Sequence, residues 1–211
     1  MKLSFRLSNL HSYYHHQQSI WDIGCDHGNL GLSFVGRPAV VEINLVDPSS
    51  AVIEQLKEKV KDAYITRKDL KINLLHQKGQ SLTLSPYSKL IFIAGMGGEE
   101  IREIVKHLST QLNEHDRVVV SPHRKVFELR SYLETSDFGL FDEKFIKDDG
   151  QFYPVICLSK ERTLPKVSLF GQKMWEDLVG QEYRLQQIQN YSPHKDQLSQ
   201  DYLAYLKGLS L

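Results

Sequence analysis

The stretch IWDIGCDHGNLG, residues 20–31, decides the fold, because a short apolar run leads directly into a glycine-rich turn. The apolar spacing after the turn predicts that the chain continues as a helix. In an open α/β sheet, ligands bind at the carboxyl ends of the strands, beside turns of this kind. The stretch therefore predicts a first buried strand with a ligand site at its end.

The glycine spacing of this turn excludes a dinucleotide-binding fingerprint. Counted from Gly24, the pattern Gly-x-Gly-x-x-Gly places Asp26 and Asn29 where the second and third glycines belong. A carboxylate at the second position would repel a pyrophosphate, so a nicotinamide dehydrogenase is the least favoured function. S-Adenosylmethionine has no phosphate and carries an ammonium and a sulfonium group, which acidic Asp22 and Asp26 suit.

Alternating strand and helix patterns continue beyond the turn and predict a parallel sheet with helices on both faces. The predicted strands are residues 19–23, 40–46, 72–76, 90–94 and 117–121. The predicted helices are residues 30–34, 49–61, 99–112 and 126–133, and the opening stretch from Leu3 to Tyr14 is a further helix candidate.

The pattern changes near Asp148, Asp149 and Gly150, which form a hairpin signal between residues 140–146 and 152–158. After residue 160, two amphipathic stretches, 172–190 and 195–209, predict helices. The sequence therefore predicts an α/β fold, with a mostly parallel sheet, an antiparallel edge hairpin and a small C-terminal helical extension. We expect the main domain over 1–160 and the extension over 161–211.

Further polar and glycine residues follow the other predicted strands at the same rim of the sheet. Asp47 lies 23 residues beyond Gly24, near the spacing of the acid that binds ribose hydroxyls, although it could instead cap the next helix. Gly95, Gly97 and Gly98 leave space where a target molecule would approach the cofactor, or they only satisfy the backbone geometry of a turn. His123 follows the fifth strand and could equally be solvated surface.

Composition limits the classes of function. The chain has 211 residues, and its 26 basic side chains balance its 26 acidic ones, so a strongly cationic nucleic-acid coat is absent and an RNA would need a local basic patch. Two cysteines cannot build a disulfide framework, and we expect both to pack as small apolar residues. We predict no metal site, no membrane segment and no secretory signal, and hence a cytoplasmic protein.

The assembled motifs resemble the bacterial tRNA adenine-22 N1-methyltransferases of the TrmK type. The motifs occur in the family's order over residues 3–156, and they are Leu3-Ser4-x-Arg6-Leu7, Asp22-Ile23-Gly24-x-Asp26-His27, Ile93-Ala94-Gly95-Met96-Gly97-Gly98, Pro122 with Leu129-Arg130-x-x-Leu133, and Asp149-Gly150-x-Phe152-Tyr153. The resemblance implies a Rossmann-like methyltransferase sheet, a helical C-terminal extension and S-adenosylmethionine as cofactor. Two turns differ from the family pattern. Ser121-Pro122-His123 stands where the family has a Gln-Pro-Asn turn, and Gly79-Gln80-Ser81 stands where the family has a Gly-Asp-Gly turn.

The resulting prediction is S-adenosylmethionine-dependent methyl transfer to N1 of an adenine in tRNA, adenine 22 in the D-arm region. The alternatives are methyl transfer to another RNA or a small molecule, and a non-catalytic module that binds the cofactor or RNA. The predicted cofactor-binding residues are Asp22, Gly24, Asp26, Asp47, Gln80, Gly95, Met96 and Gly97. The predicted catalytic residues are Asp26, His27 and His123, and the predicted RNA-binding residues are Arg6, Arg37, Arg67, Lys68, Arg124 and Lys125.

Three roles stay open at this point. Asp26 either accepts a hydrogen bond from the exocyclic amine of the base or holds the methionine ammonium. His27 either orients Asp26 or the base, or only caps the following helix. Aromatic residues such as Phe152 and Tyr153 either stack on bases or belong to the core.

Overall fold

The computed structural model describes residues 3–209, apart from the side chains of residues 64–66. Within this range the strands form one sheet of order β3-β2-β1-β4-β5-β7-β6. Strands β1 to β5 pair in parallel, whereas β7 runs antiparallel to both β5 and β6. The strands are β1 (Ser19–Ile23), β2 (Glu42–Asp47), β3 (Lys71–His76), β4 (Lys89–Ala94), β5 (Arg117–Ser121), β6 (Gly139–Asp148) and β7 (Gln151–Ser159).

Most helices lie where the spacing of apolar residues places them. They are α1 (Phe5–His11), α2 (Asn29–Leu32), α3 (Ser50–Thr66), α4 (Gly98–Leu108), α5 (Val126–Thr135), α6 (Leu178–Tyr191) and α7 (Gln197–Gly208).

Several predicted helix bounds are wrong. Helix α3 continues to Thr66 instead of ending at residue 61, and helix α1 ends at His11 instead of Tyr14. Helix α4 ends at Leu108 rather than at residue 112, because the chain tightens into a 3₁₀ turn, Ser109–Gln111, and the Gln111 side chain bonds to the backbone of Leu82 and Leu84. Helix α6 begins at Leu178 rather than at residue 172, because the Asp177 carboxylate accepts the Gly180 N–H and caps the helix there.

The sheet is buried on both faces. Successive residues of a strand point to opposite faces, so Ile20 of β1 joins the core with α1, α2 and α3, whereas Trp21 joins the core with α4 and α5. This double burial explains why the central strands are continuous apolar runs rather than alternating ones. The carboxyl ends of β1, β2 and β4 meet at one rim, which positions the turns that follow them.

The C-terminal segment first extends the main core and then packs against the hairpin. Lys166 pairs with Gly139 of β6, and Val167 is buried in the core beside α4 and α5. Helices α6 and α7 bury Trp175, Tyr202 and other rings in a separate aromatic cluster with Phe145 of β6. The division of the chain at residue 160 stays a prediction.

Candidate functional site at the carboxyl rim of the sheet

The glycine turn after β1 is held closely between its neighbours. The N–H groups of Gly24 and Cys25 donate to the Val46 carbonyl at 2.9 and 3.1 Å. Gly24 has a φ of +74°, and a Cβ placed there would lie 2.6 Å from the Met96 methyl carbon. Asp26 also adopts a left-handed φ of +48°, a conformation that Asp tolerates better than most residues. The turn therefore needs glycine at position 24 and presents the Asp26 side chain outward.

Asp22 organises the turn from inside the protein. Its side chain is buried, and its Oδ2 accepts the Gly31 N–H at 2.9 Å. The pKa of Asp22 is raised to about 7, mainly by burial; the Gly31 hydrogen bond opposes the rise, and the negative charges of Asp26 and Asp47 add to it. Three carboxyl groups thus gather at one rim, and a cationic ligand there would relieve their mutual repulsion.

Asp47 ends β2 beside the turn. Its Oδ1 accepts the Ser49 N–H at 2.8 Å, and its Oδ2 lies 3.4 Å from the Asp26 backbone nitrogen that donates to it. The alternative that Asp47 caps helix α3 is wrong, because Ser49 is the N-cap residue and accepts the Val52 N–H. A carboxylate has about four lone-pair sites, so Asp47 keeps accepting capacity for a ligand.

Two cavities meet at this rim and share Gly24, Ala94 and Gly95. The Asp47 cavity, of ≈ 340 Å³, is also lined by Gln80 and Met96. The Asp26 cavity, of ≈ 450 Å³, is also lined by Asp22, Asp26, His27, Arg6 and His123. The predicted cofactor and catalytic residues are thus divided between two adjoining spaces, with Gly97 at the N-terminus of helix α4.

Arg6 and His123 are far apart in sequence, but both line the Asp26 cavity. The Arg6 guanidinium lies over the Tyr153 ring, 4.5 Å from its centroid, and the His123 ring contacts the same tyrosine at 5.7 Å. The Arg6 N–H donates to Asp148 at 3.3 Å, which fixes helix α1 to the hairpin. Burial and the nearby Arg6 charge lower the pKa of His123, and both therefore favour its neutral imidazole.

His27 and Asp26 are exposed neighbours at the cavity mouth. Their Nε2 and Oδ2 atoms are 3.7 Å apart. Helix α2 has Gly28 as its N-cap residue and no side-chain cap, so the alternative that His27 caps this helix is wrong. Glu100, in the first turn of helix α4, lines the Asp47 cavity and was missed by sequence reasoning; its signal was its place directly after the Gly95–Gly98 turn.

The predicted RNA-binding residues do not form one surface. Arg6, Arg124 and Lys125 lie at the carboxyl rim, whereas Arg37, Arg67 and Lys68 precede β2 and β3 at the amino rim. A strand of this length separates the rims by roughly 20 Å. Arg67 is already bound within the chain, to the Asp69 carboxylate and the Arg37 carbonyl, each at 2.8 Å.

Three further features concern the cysteines, the possible metal ligands and the apolar character of the helices. Both cysteines are free and buried, which confirms the prediction of their packing. Across residues 3–209, no group of three or more His, Cys, Asp or Glu side chains is arranged to hold a metal ion. In the same range no helix combines the length and the apolar character that crossing a bilayer requires.

Comparison with known proteins assigns the chain to a family. A family model described as a methyltransferase domain matches residues 3–156. The chain belongs to this methyltransferase domain family.

The individual relatives agree with the predicted resemblance. A Bacillus subtilis protein named tRNA (adenine(22)-N(1))-methyltransferase is 25% identical over 160 residues, which are 74% of this chain and 64% of that protein. The crystal structure of the B. subtilis m1A22 tRNA methyltransferase TrmK has a TM-score of 0.75 at 20% identity, covering 98% of this chain and 94% of that one. M. capricolum TrmK in complex with S-adenosylhomocysteine has a TM-score of 0.77 at 19% identity, with the same coverage.

These likenesses confirm the predicted fold class, a Rossmann-like methyltransferase sheet with an antiparallel edge pair. In sequence, the chain spans 62% to 65% of the length of the curated relatives that it matches.

Proposed function

We propose that this chain transfers a methyl group from S-adenosylmethionine to N1 of an adenine in tRNA, at position 22. The observation that carries the proposal is the pair of cavities that meet at Gly24, Ala94 and Gly95. The Asp47 cavity offers a carboxylate and the Gln80 amide for a nucleoside. The Asp26 cavity offers a carboxylate, an imidazole and a guanidinium for a base. The name of the B. subtilis relative supports the same reaction and acceptor, and the S-adenosylhomocysteine bound to M. capricolum TrmK supports the same cofactor.

The residues at the rim fit S-adenosylmethionine, which supplies an electrophilic methyl group on its sulfonium. Burial is the main cause of the raised pKa of Asp22, and the negative charges of Asp26 and Asp47 contribute to it. This gathering of acidic groups suits a ligand with two cationic groups. In the Asp47 cavity, Asp47 and Gln80 would accept and donate hydrogen bonds to the nucleoside part, and Met96 would pack against it. Gly24 and Gly95 let the backbone approach the ligand closely.

The Asp26 cavity would hold the acceptor base. Because N1 lies on the Watson–Crick edge, the adenine must be unpaired or extruded from its stack before it enters. Its neutral N1 lone pair needs no prior deprotonation, but methylation places a positive charge on the ring. Asp26 would stabilise that charge and accept a hydrogen bond from the exocyclic amine. The alternative, that Asp26 holds the methionine ammonium, uses the same cavity.

His123 and His27 would assist Asp26. The lowered pKa of His123 favours its neutral ring, in which one nitrogen can accept and the other can donate a hydrogen bond to the base. His27 lies beside Asp26 at the mouth and would orient the carboxylate. Arg6, Arg124 and Lys125 would contact the phosphates around the entering base.

The test is to incubate the purified chain with S-adenosylmethionine and unmodified tRNA, to analyse the nucleosides by mass spectrometry, and to locate the modified base by reverse-transcription stops. We expect N1-methyladenosine at position 22. Transcripts with guanine at that position are the matched control and should stay unmodified. Cofactor binding in calorimetry without methylation of any tRNA would contradict the proposal and indicate another acceptor or a non-catalytic module.

A further inference from the structure

A third cavity, of ≈ 370 Å³, lies between helix α5, the β6–β7 hairpin and the C-terminal helices. We call it the aromatic cavity, because rings form most of its wall, among them Phe127, Phe145, Phe152, Trp175, Tyr183 and Tyr202. Its volume falls in the range of small-molecule sites. His123 lines both this cavity and the Asp26 cavity, so the two spaces adjoin.

A residue with a buried, unpartnered donor lines the aromatic cavity. Arg130 is 1% exposed, and it pairs with Glu143 at 2.8 Å and donates to the Ser168 carbonyl at 2.7 Å. Its second terminal nitrogen, Nη2, is buried and has no hydrogen-bond partner, although Arg130 lines the cavity. A buried donor without an acceptor is costly, so this nitrogen indicates a ligand with an acceptor atom.

The entrance to the aromatic cavity carries positive charge. Arg124 and Lys125 line it and are exposed, while Glu128 pairs with Lys125 at 3.0 Å. Aromatic walls, a buried N–H donor and cations at the entrance together match a nucleotide, whose base stacks on rings and whose phosphate binds cations.

We infer that the aromatic cavity binds the base of a second nucleotide of the RNA substrate, next to the target adenine. This inference rests on the proposed function for the identity of the RNA. The base stacks against the aromatic wall near Phe152 and Tyr183, and Arg130 Nη2 donates to an acceptor on its edge. The phosphate of this nucleotide binds Arg124 at the entrance.

Strand β7 shows how one RNA strand reaches both spaces. Phe152 and Tyr153 are neighbours in β7, so their side chains point to opposite faces. Tyr153 contacts Arg6 and His123 of the Asp26 cavity, whereas Phe152 stacks on Tyr183 of the aromatic cavity, with ring centroids 4.7 Å apart. An RNA strand crossing His123 therefore places successive bases in the two cavities.

The test compares uncharged variants, so that the general attraction of RNA to the protein is unchanged. Phe152→Leu removes a stacking ring, and Gln187→Leu removes a buried amide that lines the cavity. The matched controls are Tyr87→Leu, at an exposed aromatic outside the cavity, and Gln186→Leu, at an exposed position of the same helix α6. The measurement is the tRNA dissociation constant by fluorescence anisotropy, with S-adenosylhomocysteine present so that no turnover occurs.

We expect Phe152→Leu to weaken tRNA binding about tenfold, as the loss of a stacked base does. Gln187→Leu should weaken it about fivefold, as the loss of one hydrogen bond does, and both controls should stay within about twofold. Cofactor affinity should not change in any of them. Ultraviolet crosslinking of tRNA to the unmutated chain, with peptide mapping, should label Phe152 or Tyr183 and so tests the site without a variant.

Cavity variants that bind tRNA as tightly as the controls, or crosslinks confined to the Asp26 cavity, would overturn the inference. If the unmutated chain methylated no tRNA but the cavity variants still lost tRNA binding, the proposed reaction would fail and the nucleotide site would stand. If the unmutated chain methylated adenine 22 while the cavity variants bound tRNA normally, the proposed reaction would stand and the nucleotide site would fail.

Discussion

The two rims of the parallel sheet use charged residues in opposite ways. At the carboxyl rim, Asp22, Asp26 and Asp47 gather around the glycine turn, and among residues 3–209 none of them forms an ion pair with a lysine or arginine. At the amino rim, buried Lys89 and Asp116 pair at 3.2 Å. The difference teaches that charge neutralised within the chain stabilises the fold, whereas charge left open at the carboxyl rim is available to a ligand.

The largest effect on activity is expected at the carboxyl rim, from Asp26→Asn. Asparagine also tolerates the left-handed backbone and removes only the charge. We expect kcat/KM for tRNA methylation to fall about 10²–10³-fold, as when one electrostatic stabiliser is removed, with the free energy of unfolding unchanged within about 0.5 kcal/mol. Asp69→Asn, at the exposed partner of Arg67 on the amino rim, is the control. If both variants lost kcat/KM equally, the two rims would not differ in their contribution to activity.

At the amino rim, Asp116→Asn should destabilise the fold instead. Asp116 is 1% exposed and accepts the backbone N–H groups of Lys89 and Asn113 besides pairing with the Lys89 ammonium. Breaking a buried pair from one side leaves an uncompensated charge and costs about 3–5 kcal/mol. Urea denaturation measures the loss. The folded fraction should bind S-adenosylmethionine with its usual affinity, and a weakened affinity would place Asp116 in the functional site.

A matched glycine pair sharpens the comparison. Gly24→Ala forces an alanine into a left-handed φ of +74°, which costs about 1–2 kcal/mol, and its Cβ would displace the Met96 methyl group. Because Gly24 and Met96 both line the Asp47 cavity, we expect roughly tenfold weaker cofactor binding in calorimetry. At Gly36, before β2, a Cβ would meet no atom within 4 Å, so Gly36→Ala should bind the cofactor normally. If both variants bound the cofactor normally, the turn after β1 would accommodate a Cβ at position 24.

The pKa of Asp22, about 7, predicts opposite pH dependences for stability and for cofactor binding. Because the pKa of Asp22 in the folded chain lies above the ordinary aspartate value of 3.8, protonated Asp22 stabilises the fold; this contribution is complete below pH 3.8 and is lost as pH rises through 7. A cationic cofactor favours ionised Asp22, so its affinity should rise with pH up to about 7, by at most about tenfold per unit. Calorimetry should show proton release. Asp22→Asn should remove the pH dependence of both stability and cofactor affinity. A pH dependence that persists in this variant would come from another titrating group.

The smallest effect concerns the separated RNA-binding residues. Arg124→Ala should weaken tRNA binding uniformly across tRNA sequences and reduce the salt dependence of binding by about one unit of slope. Lys68→Ala, at the amino rim, should change that slope less, because it lies on the opposite side of the sheet from the target cavity. Binding measured at several salt concentrations distinguishes them. Equal slopes for the two variants would mean that the RNA wraps around both rims.

The local elements were determined by the sequence itself. Strands β1 and β5 run over Ser19–Ile23 and Arg117–Ser121, as their apolar runs predict, because buried parallel strands need continuous apolar side chains. The glycine turn and the acids around it were visible because their spacing reports backbone geometry and charge over a few residues. The resemblance to a methyltransferase family rests on the same local motifs.

Only the tertiary structure decided which of these residues meet. Arg6 and His123 are far apart in sequence but share the Tyr153 ring, and no local pattern encodes that contact. The separation of Arg37, Arg67 and Lys68 from the other cations follows from which end of a strand each residue adjoins. The aromatic cavity exists only where α5, the hairpin and the C-terminal helices pack together. Sequence spacing specifies short-range backbone conformation, whereas contacts between distant residues are set by how the elements are layered on the sheet.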